Sequence, residues 1–106
     1  MAITMSITDR TTGASEQVPV CTSGLFVKFW LPAAKELGLE RIGMLSACWI
    51  EGEDRDGLLR EMASLDRWAE SHLGEDVYFE EMRRRISTLS ERLRSVPLER
   101  CEVVFG

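Results

Sequence analysis

The stretch ITMSITDRTTGASEQVPV (residues 3–20) begins with the clearest strand pattern of the chain. Its first six residues alternate apolar and polar side chains, and this period of two predicts a β-strand with one solvent-exposed face. DRTTGAS (9–15) has the composition of a turn, and Val18 and Val20 indicate a second short strand. Because Pro19 has no N–H to donate to a neighbouring strand, we expect that second strand at an edge of the sheet. The stretch therefore predicts a β-hairpin.

The rest of the chain carries three helical patterns and two more strands. A helix is predicted over residues 24–37, kinked or restarted at Pro32. The mixed apolar run IGMLSACWI (42–50) indicates a strand, residues 55–73 a helix, and CEVVF (101–105) a last strand. The most regular apolar stripe lies between these last two elements and predicts a helix that packs on its own sheet. Its residues are Phe79, Met82, Ile86, Leu89, Leu93 and Val96.

The element order β-β-α-β-α-α-β predicts an α+β fold, in which helices pack over one face of a small, mainly antiparallel sheet. At 106 residues the chain has the length of one domain, so we expect a single domain over residues 1–106. Hydrophobic residues make up 44% of the chain and charged residues 29%, which is typical of soluble globular proteins.

Three features of the sequence indicate a cytoplasmic protein without a membrane partner. The N-terminus MAITMSITDR has no basic leader followed by an apolar block. The most apolar region, GLFVKFWLPAA (24–34), is interrupted by Lys28 and Pro32 and is shorter than a bilayer span requires. The three cysteines are widely spaced and form no C-x-x-C pair, which argues against a disulfide framework and against a zinc site.

The formal charge of −5 is distributed unevenly. Residues 51–81 contain eleven acidic and three basic side chains, whereas residues 83–100 contain six arginines and two acids. An acidic surface repels nucleic-acid phosphates and anionic lipids, so neither is an expected partner. The predicted partner is a basic protein.

The densest acidic stretch is WIEGEDRDG (49–57). Aligned as a calcium loop, it places Gly52 and Ala63 at two positions that require ligands, so no metal site is predicted. One or two acids would suffice to stabilise the start of the following helix, and the surplus indicates a surface that attracts a basic partner. The predicted partner-binding residues are Glu51, Glu53, Asp54, Asp56 and Glu61, with Trp49 and Trp68 as apolar anchors.

No set of residues predicts catalysis. His72 is the only histidine, and no G-x-S-x-G signature or glycine-rich phosphate loop accompanies it. The carboxylates of residues 51–56 are expected on an exposed turn, where no burial would adapt one of them to acid catalysis. We therefore expect no enzyme activity, no catalytic residue and no cofactor.

In size and charge the chain resembles small acidic bacterial toxin-immunity proteins. The resemblance is one of size, charge and general style, and the stretches FWLPAAKELGLERI (29–42) and IEGEDRDGLLREMASL (50–65) form no motif that is diagnostic of that class. It implies a protein that inhibits by covering the basic active cleft of a toxin. Two alternatives remain. One is a small-molecule or regulatory module with a pocket between the aromatic helix and strand 42–50. The other is a structural homodimer, formed through a sheet edge or through the stripe of residues 79–96.

Overall fold

The protein is an α+β fold with a four-stranded antiparallel sheet, as predicted. The computed structural model describes residues 2–106. The strand order is β2-β1-β4-β3. The strands are β1 (Ala2–Asp9), β2 (Ser15–Thr22), β3 (Cys48–Ile50) and β4 (Cys101–Phe105). The helices are α1 (Ser23–Leu25), a π-helical turn (Phe26–Trp30), α2 (Leu31–Leu37), α3 (Glu40–Gly43), α4 (Gly52–His72) and α5 (Phe79–Ser95).

One face of the sheet is covered by helices and the other is open. The predicted alternation in β1 is confirmed, because its apolar side chains are buried and the intervening threonines and serine are only half-buried. The predicted hairpin is also confirmed, and β2, which contains Pro19, lies at one edge. β3 forms the other edge. The sheet residues buried beneath the helices are Ile3, Met5, Ile7, Val18, Val20, Ile50, Cys101, Val103 and Phe105.

The helix predicted over residues 24–37 runs from 23 to 37 without a break at Pro32. Thr22 caps it by accepting a hydrogen bond of 3.2 Å from the N–H of Leu25. In the π-helical turn, the N–H of Leu31 donates to the carbonyl of Phe26, five residues back. A proline in a regular helix clashes with the carbonyl four residues earlier. The wider turn immediately before Pro32 is therefore where the helix accommodates the ring.

The predicted strand 42–50 is too long, and this prediction was wrong over its first half. Residues 40–43 form α3, a turn follows, and only Cys48–Ile50 pair with β4. Leu39, Ile42 and Leu45 are all buried. Their spacing of three is the period of a helical turn. Small and apolar residues at both odd and even positions of this run made that period hard to recognise in the sequence.

The two long helices form most of the helix layer. α4 begins at Gly52, three residues earlier than predicted, so the acidic stretch contains its first turn. The apolar stripe of α5 is buried within the monomer, as predicted, apart from the half-buried Phe79. Nearby, the indole Nε1 of Trp30 donates to the hydroxyl of Tyr78 at 3.0 Å in the core. Between residues 2 and 106, no helix combines the length and apolarity that a bilayer crossing demands.

Candidate protein-docking surface

The junction between β3 and α4 presents the acidic stretch at the surface. Glu51 is the N-terminal cap of α4 and keeps an extended backbone, with φ −91° and ψ 168°. Its N–H donates to Oδ2 of Asp54 at 3.1 Å, which satisfies one backbone donor at the start of the helix. Glu53 and Asp54 occupy the first helical turn, where negative charge opposes the positive end of the helix dipole.

Trp49 is the large apolar side chain of this junction, and 68% of it is exposed. It pairs with Val104 on the open face of the sheet, since its neighbour Ile50 is buried on the helix-covered face. Glu51 follows two residues later in extended backbone, so its side chain leaves on the same side as Trp49, about 6.6 Å further along the strand. Trp49 and Glu51 are both exposed, and their side chains leave the backbone on the same face of the sheet.

Two of the five predicted carboxylates bind within the molecule instead. Glu61, whose side chain is 12% exposed, accepts from the N–H of Ile42 at 3.0 Å and from Nη1 of Arg41 at 3.2 Å. Asp54 lies 3.6 Å from Nε of Arg41 and also accepts from Glu51. We call these contacts of Arg41 with Asp54 and Glu61 the Arg41 clamp. It attaches α3 to α4, and its two carboxylates share one guanidinium.

The other three carboxylates, Glu51, Glu53 and Asp56, are exposed, and none of the ion pairs formed among residues 2–106 includes them. The arginine between them in sequence points elsewhere. Nη1 of Arg55 donates to the carbonyl of Val96 at 2.7 Å, at the C-terminal end of α5. We call Trp49, Glu51, Glu53 and Asp56 the acidic junction. It combines uncompensated negative charge with an exposed indole.

Trp68, the second predicted anchor, does not lie with the acidic junction. It is sixteen residues beyond the start of α4, which at 1.5 Å per residue is about 24 Å along the helix axis. Its ring is half-buried and stacks on His72 with the ring centroids 4.8 Å apart. Its Nε1 donates to Glu36 of α2 at 2.7 Å. Trp68 therefore bridges α2 and α4 at the edge of the core.

Most of the arginines between residues 83 and 100 form ion pairs, one of them with α4. Nε and Nη2 of Arg83 donate to the two carboxylate oxygens of Asp66 at 2.9 and 2.8 Å, a bidentate contact between α5 and α4. Arg84 and Arg85 both bind Glu81, the latter at 2.9 Å. No comparable pairing reaches the acidic junction.

His72, Cys21 and Cys48 carry side chains that could take part in nucleophilic or acid–base chemistry, and they differ in exposure. His72 is exposed, and its Nδ1 lies 3.0 Å from the carbonyl of Trp68. Burial raises the pKa of the Cys21 thiol to about 11. Burial, with the negative charge of Asp54 as a second cause, also raises the pKa of Cys48. Both thiols are therefore protonated, and weak nucleophiles, near neutral pH. Across residues 2–106, no three His, Cys, Asp or Glu side chains gather as a possible metal site.

Sequence reasoning missed the exposed surface that precedes the acidic junction. Met44 is 59% exposed in the turn between α3 and β3. A shallow depression of about 230 Å³ lies next to Trp49, with Ala47, Cys48 and Val104 among its lining residues. The spacing of three between Leu39, Ile42 and Leu45 could have revealed this surface. It predicts a helical turn that buries these three residues, and Met44 then lies on its exposed side.

Comparisons of this chain with protein-family models, with curated proteins and with solved structures find no match.

Proposed function

We propose that this chain is a non-catalytic, cytoplasmic binding domain that docks a basic protein on its acidic junction. The observation that supports the proposal is the exposed Trp49, followed in the chain by three exposed carboxylates that take part in none of the ion pairs among residues 2–106. Glu51 and Glu53 contribute to the start of α4. The combination of an exposed tryptophan with three carboxylates that have no ion pair is more than the core or the helix start requires. It does suit a surface that attracts a cationic partner and then holds it.

The two components of the acidic junction have different roles in this proposal. Clustered surface charge of one sign raises the association rate of an oppositely charged partner, and salt weakens the effect. Tryptophan is enriched among interface residues whose truncation costs about 2 kcal/mol or more of binding free energy. The carboxylates would therefore govern association, and Trp49 would govern dissociation.

Inhibition by occlusion is the mode of action that we propose for such a domain. A basic cleft that accepts a negatively charged substrate would also accept Glu51, Glu53 and Asp56. In this mode the chain acts as a bacterial immunity protein or inhibitor, as its resemblance in size and charge to that class implies. It needs no reactive group of its own, because covering the cleft is sufficient.

Affinity capture with matched charge variants tests the proposal. One bait carries Glu51→Lys, Glu53→Lys and Asp56→Lys, while Asp54 stays because it belongs to the Arg41 clamp. The control bait carries Glu75→Lys, Glu91→Lys and Glu99→Lys, three exposed acids outside the ion pairs formed among residues 2–106. Both variants change the net charge equally. Thermal unfolding of both baits shows that each is folded before capture.

We expect a basic protein to be captured by the wild type and by the control bait, and to be lost from the junction bait. Its association rate with the wild type should fall steeply between low and high salt. Equal capture by the two variants would contradict the acidic junction as the docking surface. A salt-independent association rate would remove the electrostatic role of the carboxylates.

One observation favours the small-molecule alternative. An apolar groove of about 500 Å³ lies between α2 and α3, with Leu31, Ala34, Leu39 and Met44 among its lining residues. It is not the pocket that the sequence indicated, because the aromatic side chains of the first helix are buried in the core. A homodimer would have to form through a sheet edge, because the apolar stripe of α5 is already buried within one chain.

A further inference from the structure

The free edge of the sheet at β3 has backbone groups whose direction can be deduced from the neighbouring ladder. Thr4 and Gly106 exchange both backbone hydrogen bonds, at 2.9 and 3.1 Å. In an antiparallel ladder, such bonded pairs alternate with pairs whose groups point the other way. The backbone N–H and C=O of Val103 and Phe105 therefore point away from β1 and toward β3.

The same alternation continues into β3. Cys48 pairs with Phe105 and Ile50 pairs with Val103, so these two residues of β3 direct their N–H and C=O groups toward β4. Trp49, between them, directs its N–H and C=O outward, to the free edge. No turn, loop or cap hydrogen bond within residues 2–106 involves its backbone. The edge thus offers one donor and one acceptor at Trp49.

The residues on either side of β3 limit this edge to a single pairing position. The N–H of Ala47 donates to the carbonyl of Met44 at 3.0 Å, and the N–H of Glu51 donates to Asp54. The outward N–H and C=O of Trp49 therefore belong to the residue that carries the exposed indole, two residues before the exposed Glu51. One edge residue thus offers backbone pairing and an aromatic side chain close in sequence to negative charge.

We propose that the partner docks by adding an extended basic segment to β3 as a fifth strand, antiparallel like the rest of the sheet. The partner residue opposite Trp49 exchanges both backbone hydrogen bonds with it. Two positions earlier in the partner, an arginine or lysine lies opposite Glu51 and against the indole face of Trp49. This inference rests on the proposed function and names the form of the partner and the residue that it must present.

Charge argues for a basic partner at this edge and against a second copy of the chain. A symmetric dimer would pair β3 with its own copy about Trp49, because a two-fold interface brings the same patch of both subunits together. In that antiparallel pairing Ala47 of the copy lies opposite Glu51, so the copy brings no positive charge to Glu51, and the two joined chains each carry −5. A basic segment meets the same surface with opposite charge.

A defined peptide tests the strand addition. The probe is acetyl-Thr-Lys-Val-Lys-Val-Lys-Thr-amide, which places all lysines on one face when extended. Two matched peptides accompany it: one has glutamate in place of each lysine, and the other is N-methylated at the three lysines, which removes the N–H groups that would face Trp49. Binding is followed by amide chemical shifts, and pairing by hydrogen exchange of the Trp49 N–H.

We expect the basic peptide to slow exchange of the Trp49 N–H and the acidic peptide to leave it unchanged. N-methylation should weaken binding about fivefold to tenfold, the loss that one or two hydrogen bonds produce. On the protein side, Trp49→Ala removes the indole and Trp49→Pro removes the indole and the N–H. The proline variant should bind less tightly than the alanine variant by about threefold to tenfold. Both should stay folded, since an outward N–H is not part of the ladder.

Four outcomes would overturn the inference. If the N-methylated peptide binds as well as the basic one and exchange at Trp49 is unchanged, strand pairing is wrong while the acidic docking surface stands. If the basic and acidic peptides bind equally, both proposals fail. Absence of binding at millimolar basic peptide overturns strand pairing and leaves the capture experiment to decide the proposed function. A dimer in sedimentation that Trp49→Pro dissolves, and Trp49→Ala does not, identifies a second copy as the occupant.

Discussion

The carboxylates of the Arg41 clamp and those of the acidic junction all lie at the N-cap or in the first three turns of α4, yet they make different contacts. Asp54 and Glu61 are seven residues apart, almost two full turns, so they lie on one side of α4, facing α3 and Arg41. Glu53 and Asp56 are rotated by about 100° and 200° from Asp54 and meet solvent. Rotation about the helix axis separates carboxylates that stabilise the fold from carboxylates free to bind a partner.

Among the substitutions considered, removal of the Glu61 carboxylate from the Arg41 clamp should lower the stability of the fold most. Glu61→Ala leaves the N–H of Ile42 and the guanidinium of Arg41 without their acceptor, in a half-buried site. We expect the free energy of unfolding to fall by about 2 kcal/mol, because a buried donor loses its partner. Asp56→Ala, the matched change on the junction side, should stay within about 0.5 kcal/mol. Urea unfolding of both variants provides the measurement.

Glu61→Gln is the control for this prediction. Glutamine keeps an acceptor oxygen for Ile42 but loses the charge, so its effect should lie between those of the wild type and of Glu61→Ala. Equal stability losses for Glu61→Ala and Asp56→Ala would mean that the two groups of carboxylates do not differ in the way that the contacts indicate.

Gly57 lies inside α4 against the guanidinium of Arg41, so a substitution there tests the Arg41 clamp. A Cβ atom at this position would come within 2.6 Å of Cζ of Arg41. Gly57→Ala gains about 1 kcal/mol of helix propensity but displaces the guanidinium from the clamp. We therefore expect a net loss of about 1 kcal/mol in the wild type and a gain of about 1 kcal/mol in an Arg41→Ala background.

The double-mutant cycle for Gly57 and Arg41 is measured by denaturant unfolding of the four proteins. A coupling energy near zero would contradict the prediction that a Cβ atom at position 57 displaces the Arg41 guanidinium from the clamp. The predicted coupling is about 2 kcal/mol, within the range of contacting residues.

The ionised carboxylate of Asp9, in the β1–β2 hairpin, should make the smallest contribution to stability among the groups considered. Hydrogen bonds from the N–H groups of Thr11 and Thr12, at 2.8 and 3.1 Å, and the nearby Arg100 hold the pKa of Asp9 below its ordinary value. A lowered pKa in the folded state means that the ionised carboxylate stabilises the protein above the unfolded-state pKa. That contribution disappears as the pH falls through the folded-state pKa.

The matching experiment compares unfolding of the wild type and of Asp9→Asn as a function of pH. The variant should be slightly less stable near neutral pH, and the difference should begin to shrink below about pH 4 and vanish once the pH is below the lowered pKa of Asp9 in the folded state. A difference that stays constant through that whole acid range would assign the effect to the side-chain shape and not to its charge.

Local patterns were readable from the sequence, and long-range pairing was not. The alternation of Ile3, Met5 and Ile7 and the stripe of α5 were predicted correctly, because each depends on the period of one element. The Arg41 clamp joins residues as far as 20 positions apart, and nothing in a single sequence specifies that Arg41 selects Glu61 over Glu53. The sequence likewise predicted the same anchoring role for Trp49 and Trp68. Only the packing of the fold shows that Trp49 is exposed and that Trp68 contacts α2.

The brevity of β3 and the proline in β2 have a consequence for assembly. An eight-residue edge such as β2 would ordinarily present a row of backbone groups on which further chains could stack, but Pro19 interrupts it. At the opposite edge, three residues expose one donor and one acceptor. We expect concentrated solutions of this protein to resist fibril growth, and a strand that docks at β3 to end the sheet rather than extend it into a filament.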